Sequence, residues 1–242
     1  MRALASQPSL VDQVVEAITA EIVRGDLPSN SRLIQDELAR AYGVSRQPVQ
    51  QALLLLRSRG LVKEAEGRGL IVAPLDVDFI RNLYQIRAAI EGLAANLAAR
   101  NGSARAKAEG GRYIELGLEA VKSGSLDKQI EADVAFHAFL GDISGNPLLN
   151  ETTVPHWPAL RRVMGEVLRE DVGMPSNIWD EHSAIMAAVV AGDGETAERL
   201  GREHILRAAD VFVARLKAQQ KLQSHASTSR RIRLSPRAVA AD

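Results

Sequence analysis

The sequence predicts a mainly α-helical chain in two parts: a helix-turn-helix carrying a β-hairpin wing, then an all-helical antiparallel bundle. Three observations carry this prediction. Residues 31–62 show helical apolar spacing interrupted by one tight glycine turn. Two short β-prone runs follow, on either side of Glu66-Gly67-Arg68-Gly69. From Ala73-Pro74 onward the pattern is helical, with almost no strand character.

Taken in order, Val11, Val15, Ile18 and Ile22 form one helical stripe ending at Gly25, a residue suited to a left-handed C-cap. A second helix is expected over about Gln35 to Tyr42, with Leu38 and Ala39 facing inward. Gly43 ends it, and Val44 is a small apolar plug before the next helix. Ser45 suits the N-cap of that helix, and Pro48 is tolerated in its first turn, where the N–H has no internal partner. Val49, Leu53 and Leu56 recur on the buried face. Arg46, Gln47, Gln50 and Gln51 fall opposite, where they can reach base edges and phosphates. Leu61-Val62-Lys63 and Leu70-Ile71-Val72 then read as a two-stranded wing with Arg68 at its tip.

Beyond residue 74 the expected helices are 76–100, 104–122, 125–143, 147–170, 177–191 and 195–222. Asn101-Gly102, Ser123-Gly124, Gly145-Asn146-Pro147, Gly173-Met174-Pro175 and Gly192-Asp193-Gly194 break them. Pro155 and Pro158 should kink or split the fourth. The domain plan is 1–74, 75–222, and an aperiodic basic tail at 223–242, expected to be disordered, in which Arg230, Arg231, Arg233 and Arg237 either brush DNA or do nothing.

Composition sets bounds. With 46% hydrophobic and 25% charged residues the chain is an ordinary globular one. No run of about 18 apolar residues suggests a membrane span, and the N-terminus lacks an apolar leader core. Zero cysteines exclude disulfides and thiolate metal ligands and are compatible with a cytoplasmic location. Zero net charge is not the bulk signature of a nucleic-acid binder, but a compact reader needs only a few local arginines.

The run Gly25-Asp26-Leu27, Arg32-Leu33, Glu37-Leu38-Ala39, Gly43-Val44-Ser45-Arg46-Gln47-Pro48-Val49, Ala52-Leu53, Leu56, Gly60-Leu61-Val62, Gly67, Gly69 and Val72 resembles the DNA-binding domain of the GntR superfamily of bacterial transcription regulators. The resemblance implies a winged helix docking its second helix in the major groove. Arg32, Ser45, Arg46, Gln47, Gln50 and Gln51 would contact the duplex, and Gly67, Arg68 and Gly69 would enter the adjacent minor groove. It also implies a homodimer on a palindromic operator. Three positions depart from the pattern. Gln50 replaces the usual arginine, and glutamine suits adenine where arginine suits guanine, so the operator sequence should differ. Gln35-Asp36 stands where Glu-Arg is common; Asp36 should sit off the phosphates or pair with a nearby arginine. Asn30 replaces a common glycine, and asparagine also tolerates the left-handed region.

In the helical part, Asp133 and His137 are four residues apart on an amphipathic helix, which places carboxylate and imidazole on one face. His182 begins one later helix and His204 lies midway along the last. Each alone reads as a packing or surface residue. Together, Glu131-Ala132-Asp133, Phe136-His137, Gly145-Asn146-Pro147, Glu181-His182, Ile185, Ala191-Gly192-Asp193, Ala197 and His204-Ile205 resemble the FCD ligand-binding domain of the FadR subfamily. The resemblance implies a divalent metal held by Asp133, His137, His182 and His204, with zinc foremost and nickel, iron or copper the other choices. It also implies a small organic-acid or sugar-acid effector that releases the chain, as a repressor, from DNA. Arg87 matches an arginine frequent in the first helix of that domain; it either forks onto the effector or pairs with Glu91 four residues on. Arg161 and Arg162 are further effector candidates, whereas Trp157, Trp179 and His156 read as structural and His225 as tail. Two other functions stay open: a purely structural metal with no effector, and a metal-dependent hydrolase. The winged helix argues against the hydrolase, since an enzyme has no need of one.

Overall fold

The computed structural model describes residues 8–65, 69–168 and 177–232. Helix α1 (Leu10–Arg24) starts in a capping box, with Ser9 Oγ accepting from Asp12 N at 3.2 Å, and stops at Gly25 with φ 82°. Strand β1 (Arg32–Leu33), α2 (Gln35–Tyr42), α3 (Arg46–Ser58), β2 (Val62–Glu64) and β3 (Leu70–Val72) complete the head. Gly43, at φ 64°, makes the turn between α2 and α3. Ser45 has the extended N-cap backbone, but its hydroxyl makes no capping bond. Val14, Val15, Ile18, Ile22, Leu38, Val49, Leu53 and Leu56 are buried together. The wing carries one strand more than the expected two: β1 adds to β3, giving the antiparallel order β1-β3-β2, with Arg32 opposite Ile71. Two residues of extended chain before α2 suffice for this, too few to register as a strand by periodicity.

The bundle is built on α4 (Val77–Lys122), one uninterrupted 46-residue helix where two were expected. Asn101-Gly102 does not break it. Asn101 Nδ2 donates to the Ser144 carbonyl at 2.8 Å, and a Cβ at Gly102 would collide with the Ile143 carbonyl. The glycine serves close approach of the end of α5 to α4, which offsets its poor helix propensity. Gly110 and Gly117 serve the same purpose, against Met186 and Trp179.

Helix α5 (Leu126–Ile143) returns along α4 and is followed by α6 (Pro147–Thr153). A 3-10 turn (Val154–His156) leads to α7 (Trp157–Leu168), so the prolines split this segment in two as expected. Helices α8 (Ile178–Val190) and α9 (Gly194–Ile232) close the bundle. The expected break at Gly173-Met174-Pro175 lies outside the described residues. The supposed tail is corrected in part: α9 runs on to Ile232, since no glycine or proline intervenes between 222 and 232 to stop it. Residues 233–242 lie outside the description. Tyr84, Phe136, Leu160, Met164, Trp179, Ile185 and Ile205 fill the core between these helices. This core and that of the head are separate clusters, and Leu75 is the first residue of the bundle's.

Candidate metal centre and DNA-reading face

Three helices bring Asp133 and His137 (α5), His182 (α8) and His204 (α9) to one point. One ligand atom from each lies within 4.8 Å of all the others, and all four residues are buried. His182 Nε2 is 3.1 Å from His204 Nε2 and 3.5 Å from Asp133 Oδ1; His137 Nε2 is 3.8 Å from the same oxygen.

The outer nitrogens explain the orientation. His204 Nδ1 is 2.7 Å from Glu181 Oε2, and His137 Nδ1 contacts Glu91 Oε2. A carboxylate can only accept there, so each Nδ1 carries the proton and each Nε2 turns a bare lone pair inward. His137 Nε2 is buried with no hydrogen-bond partner. Buried lone pairs converging on a carboxylate are costly unless something electron-poor lies between them. Burial first, then the neighbouring His204 and His137, push His182 well below the usual imidazole value. Burial also lowers His204, against the opposing pull of Glu181. Both rings are thereby kept in the neutral form that a metal requires. Three imidazoles and one carboxylate fit a first-row transition ion or zinc.

Phe136 stacks on His182 at 4.2 Å between ring centroids, and Trp179 meets it edge-on at 4.6 Å, fixing that ring by packing. On α4, Arg87 pairs with Glu91, and its Nη2 stands 3.6 Å from Asp133 Oδ2. Burial alone would raise the Glu91 carboxyl; Arg87 and His137 overcome this and hold it at about 2. Of the two roles weighed for Arg87, the pair with Glu91 is formed, and the same guanidinium stands beside Asp133. Arg87 Nη2 and the Tyr84 hydroxyl are buried without hydrogen-bond partners.

Arg161 and Arg162 are not brought to the cluster. Helix α7 sends Trp157 toward Arg87, 5.8 Å from guanidinium to ring, but a turn later its surface faces the head. Arg162 bonds Ser29 and the Ala73 carbonyl, and Arg161 lines a cleft between α1 and α7. Trp179 is core and Trp157 half-buried; His156 is exposed on the 3-10 turn. Glu91 and Glu181 are the functional residues that sequence reasoning missed. Glu181 figures in the sequence only as a neighbour of His182, and Glu91 only as a partner of Arg87. Two cavities adjoin the centre. One of about 300 Å³ beside His204 is lined by Glu181, Arg207, Ile178 and Phe212. The other, of about 10 Å³, lies among Glu91, His137 and Trp157.

On the head, Ser45, Arg46, Gln47, Gln50 and Gln51 are all exposed along α3, and Arg32 is exposed on β1. Leu54 shares that face at 51% exposure, an apolar group able to meet a thymine methyl, and was not foreseen. Arg46 Nη2 donates to Asp36 Oδ2 at 2.7 Å, which realises the expected pairing of Asp36. Gly69 has φ 95°, whereas Gly67 and Arg68 lie outside the described residues.

A winged helix with a polar α3 face, joined to a helical bundle with a buried polar centre, defines a DNA-binding transcription regulator rather than an enzyme. The comparisons agree. The profile for bacterial regulatory proteins of the gntR family matches residues 10–72, and that for the FCD domain matches residues 82–207. The chain belongs to the GntR family and carries an FCD domain. It is 29% identical over 213 residues to the HTH-type transcriptional regulator LutR of Bacillus subtilis, covering 79% of this chain and 95% of the relative. It is 26% identical over 199 residues to the HTH-type transcriptional repressor RspR of Escherichia coli, covering 80% and 84%. Among solved structures, E. coli McbR/YncC matches with TM-score 0.70 at 24% identity, covering 87% of this chain and 100% of that one, which speaks for the fold alone. No helix among the described residues is long and apolar enough to cross a membrane.

Proposed function

We propose that this chain is a metal-containing repressor of the FadR subfamily that binds a palindromic operator as a homodimer and is released by a small organic acid. The metal site carries the reading: four buried ligand atoms within 4.8 Å, with two of the imidazoles back-bonded by carboxylates. Asp133, His137, His182 and His204 would hold the ion, zinc before nickel or iron. When bound, it would supply a Lewis-acidic seat for an effector carboxylate. Arg87, whose Nη2 has no hydrogen-bond partner, would take the acid's far end, and Glu91 keeps that guanidinium in place. On DNA, Arg46, Gln47, Gln50 and Gln51 face the bases, joined by Arg32, Ser45 and the wing residues Gly67, Arg68 and Gly69. The named repressor among the relatives supports the sign of regulation.

His182→Ala with His204→Ala tests the ligand set. Elemental analysis of the double variant should find no bound metal while its contacts to DNA persist. Stoichiometric metal would show the ligand set to be wrong. One observation favours a second reading, a purely structural ion. The cavity against His137 holds about 10 Å³, room for a single water and not for an organic acid. Thermal-shift screening of the metal-loaded protein against organic acids separates the two readings. An acid that raises the melting point supports the sensor; melting on chelation with no acid effective supports the structural ion.

A further inference from the structure

Arg162 is on the body, in α7, and only 3% exposed, yet its guanidinium reaches into the head. Nη2 donates to Ser29 Oγ at 3.0 Å and to the Ala73 carbonyl. Glu166, one turn along the same helix and 3.4 Å from Nε, supplies the counter-charge. Ser29 Oγ donates in turn to Glu166 Oε1 at 2.7 Å, closing a triangle across the seam. Both head acceptors belong to one unit. Asn30 N donates to the Val72 carbonyl and Val72 N to the Ser31 carbonyl, each at 3.0 Å, so the 29–31 turn is bolted to β3, the central strand of the wing.

Clefts flank this triangle. A cavity of about 260 Å³ lined by Ser29, Pro74, Leu75 and Glu166 flanks it on one side. Another of about 180 Å³, lined by Gly60, Pro74, Phe79 and Arg162, flanks it on the other. Beside these clefts the seam has less apolar packing with which to fix an angle. A planar guanidinium with acceptors at set positions fixes one. The start of α7 meanwhile touches the metal centre through Trp157 and Arg87, and Arg87 stands 3.6 Å from Asp133. One helix thus contacts both Arg87, beside the cluster, and the turn bonded to β3.

We propose that Arg162 is a positioning residue for DNA binding, setting from the body the angle at which the head presents α3 and the wing. The head's DNA binding follows from the family; only the link to the metal centre rests on the function proposed above.

The test uses the full-length chain as wild type and as Arg162→Met, Arg162→Lys and Ser29→Ala. Amide hydrogen exchange is followed over residues 26–33 and 70–76. Affinity is measured for the duplex that wild type selects from a randomised pool. In Arg162→Met, exchange in those segments should rise about ten-fold and duplex affinity fall about ten-fold, with protection of the bundle core unchanged. Ser29→Ala should move both readouts in the same direction by less, and Arg162→Lys should restore part of both. Unchanged exchange overturns the proposal. So does raised exchange with affinity within about two-fold of wild type, because a merely structural contact would loosen the seam without moving DNA binding. If Arg162→Met does not fold, Ser29→Ala decides by the same two readouts, since it leaves no bare charge buried. A wild type found free of metal would defeat the sensor reading while both readouts still judged Arg162.

Discussion

Arg46 is tethered to Asp36 in the preceding helix, so its guanidinium reaches a base only by sharing or leaving that carboxylate. The exposed pair is worth little by itself, which makes the exchange for a guanine edge inexpensive. Arg46→Ala should therefore weaken operator binding by about 1–3 kcal/mol, measured by fluorescence anisotropy at fixed salt. Unchanged affinity would remove this face of α3 from the interface. At the candidate metal centre, Glu181 fixes the tautomer and ring orientation of His204. Glu181→Gln should lower metal affinity about 10–100-fold in a competition titration, with the ligands themselves intact. An unaltered affinity would show that Glu181 does not orient His204. Neither Glu91 nor Glu181 could be picked out from the sequence as an orienting group. Hydrogen bonds between helices far apart in the chain leave no spacing to detect, whereas the four residues of the centre were found through their match to a family pattern.

Among the elements, α4 shows where local rules give way to packing. Asn101-Gly102 reads as a break, yet Gly102, like Gly92, Gly110 and Gly117, meets a neighbouring helix at contact distance. Glycine's helix cost of about 1 kcal/mol is modest beside what tight packing of α5 and α8 against a single long helix returns. Gly117→Leu should consequently destabilise the bundle by about 1–3 kcal/mol in denaturant unfolding, because its side chain would occupy the place of Trp179. A variant as stable as wild type would refute the close-packing account of these glycines. The head was the more legible half. The left-handed caps at Gly25 and Gly43 and the apolar stripes of α1 to α3 are local, period-driven features. β1 escaped because two residues carry no period, and its role comes from pairing with β3 nearly forty residues later.

For the molecule as a whole, α7 bonds the head through Arg162 and meets Arg87, beside the polar centre, through Trp157. The buried histidine cluster also ties stability to acidity. In metal-free protein, His182 and His204 are held below the usual 6.5 by burial, so the folded chain refuses protons that the unfolded chain accepts. Their contribution is present above pH 6.5 and is lost as pH falls from there toward the depressed folded values. Chelator-treated protein should lose melting temperature as pH drops below 6.5, followed by calorimetry, and metal-loaded protein should lose its ion over the same descent as protons compete for the rings. A flat melting temperature from neutral pH down to the carboxylate range would contradict this.

The most direct test of the central claim is anomalous diffraction from crystals of the full-length protein at the absorption edge of the metal found by elemental analysis. The account predicts one strong peak per chain, about 2.0–2.2 Å from an Asp133 oxygen and from Nε2 of His137, His182 and His204. A metal-replete preparation whose peak lies elsewhere, or protein that carries no metal after growth in zinc-supplemented medium, would contradict it.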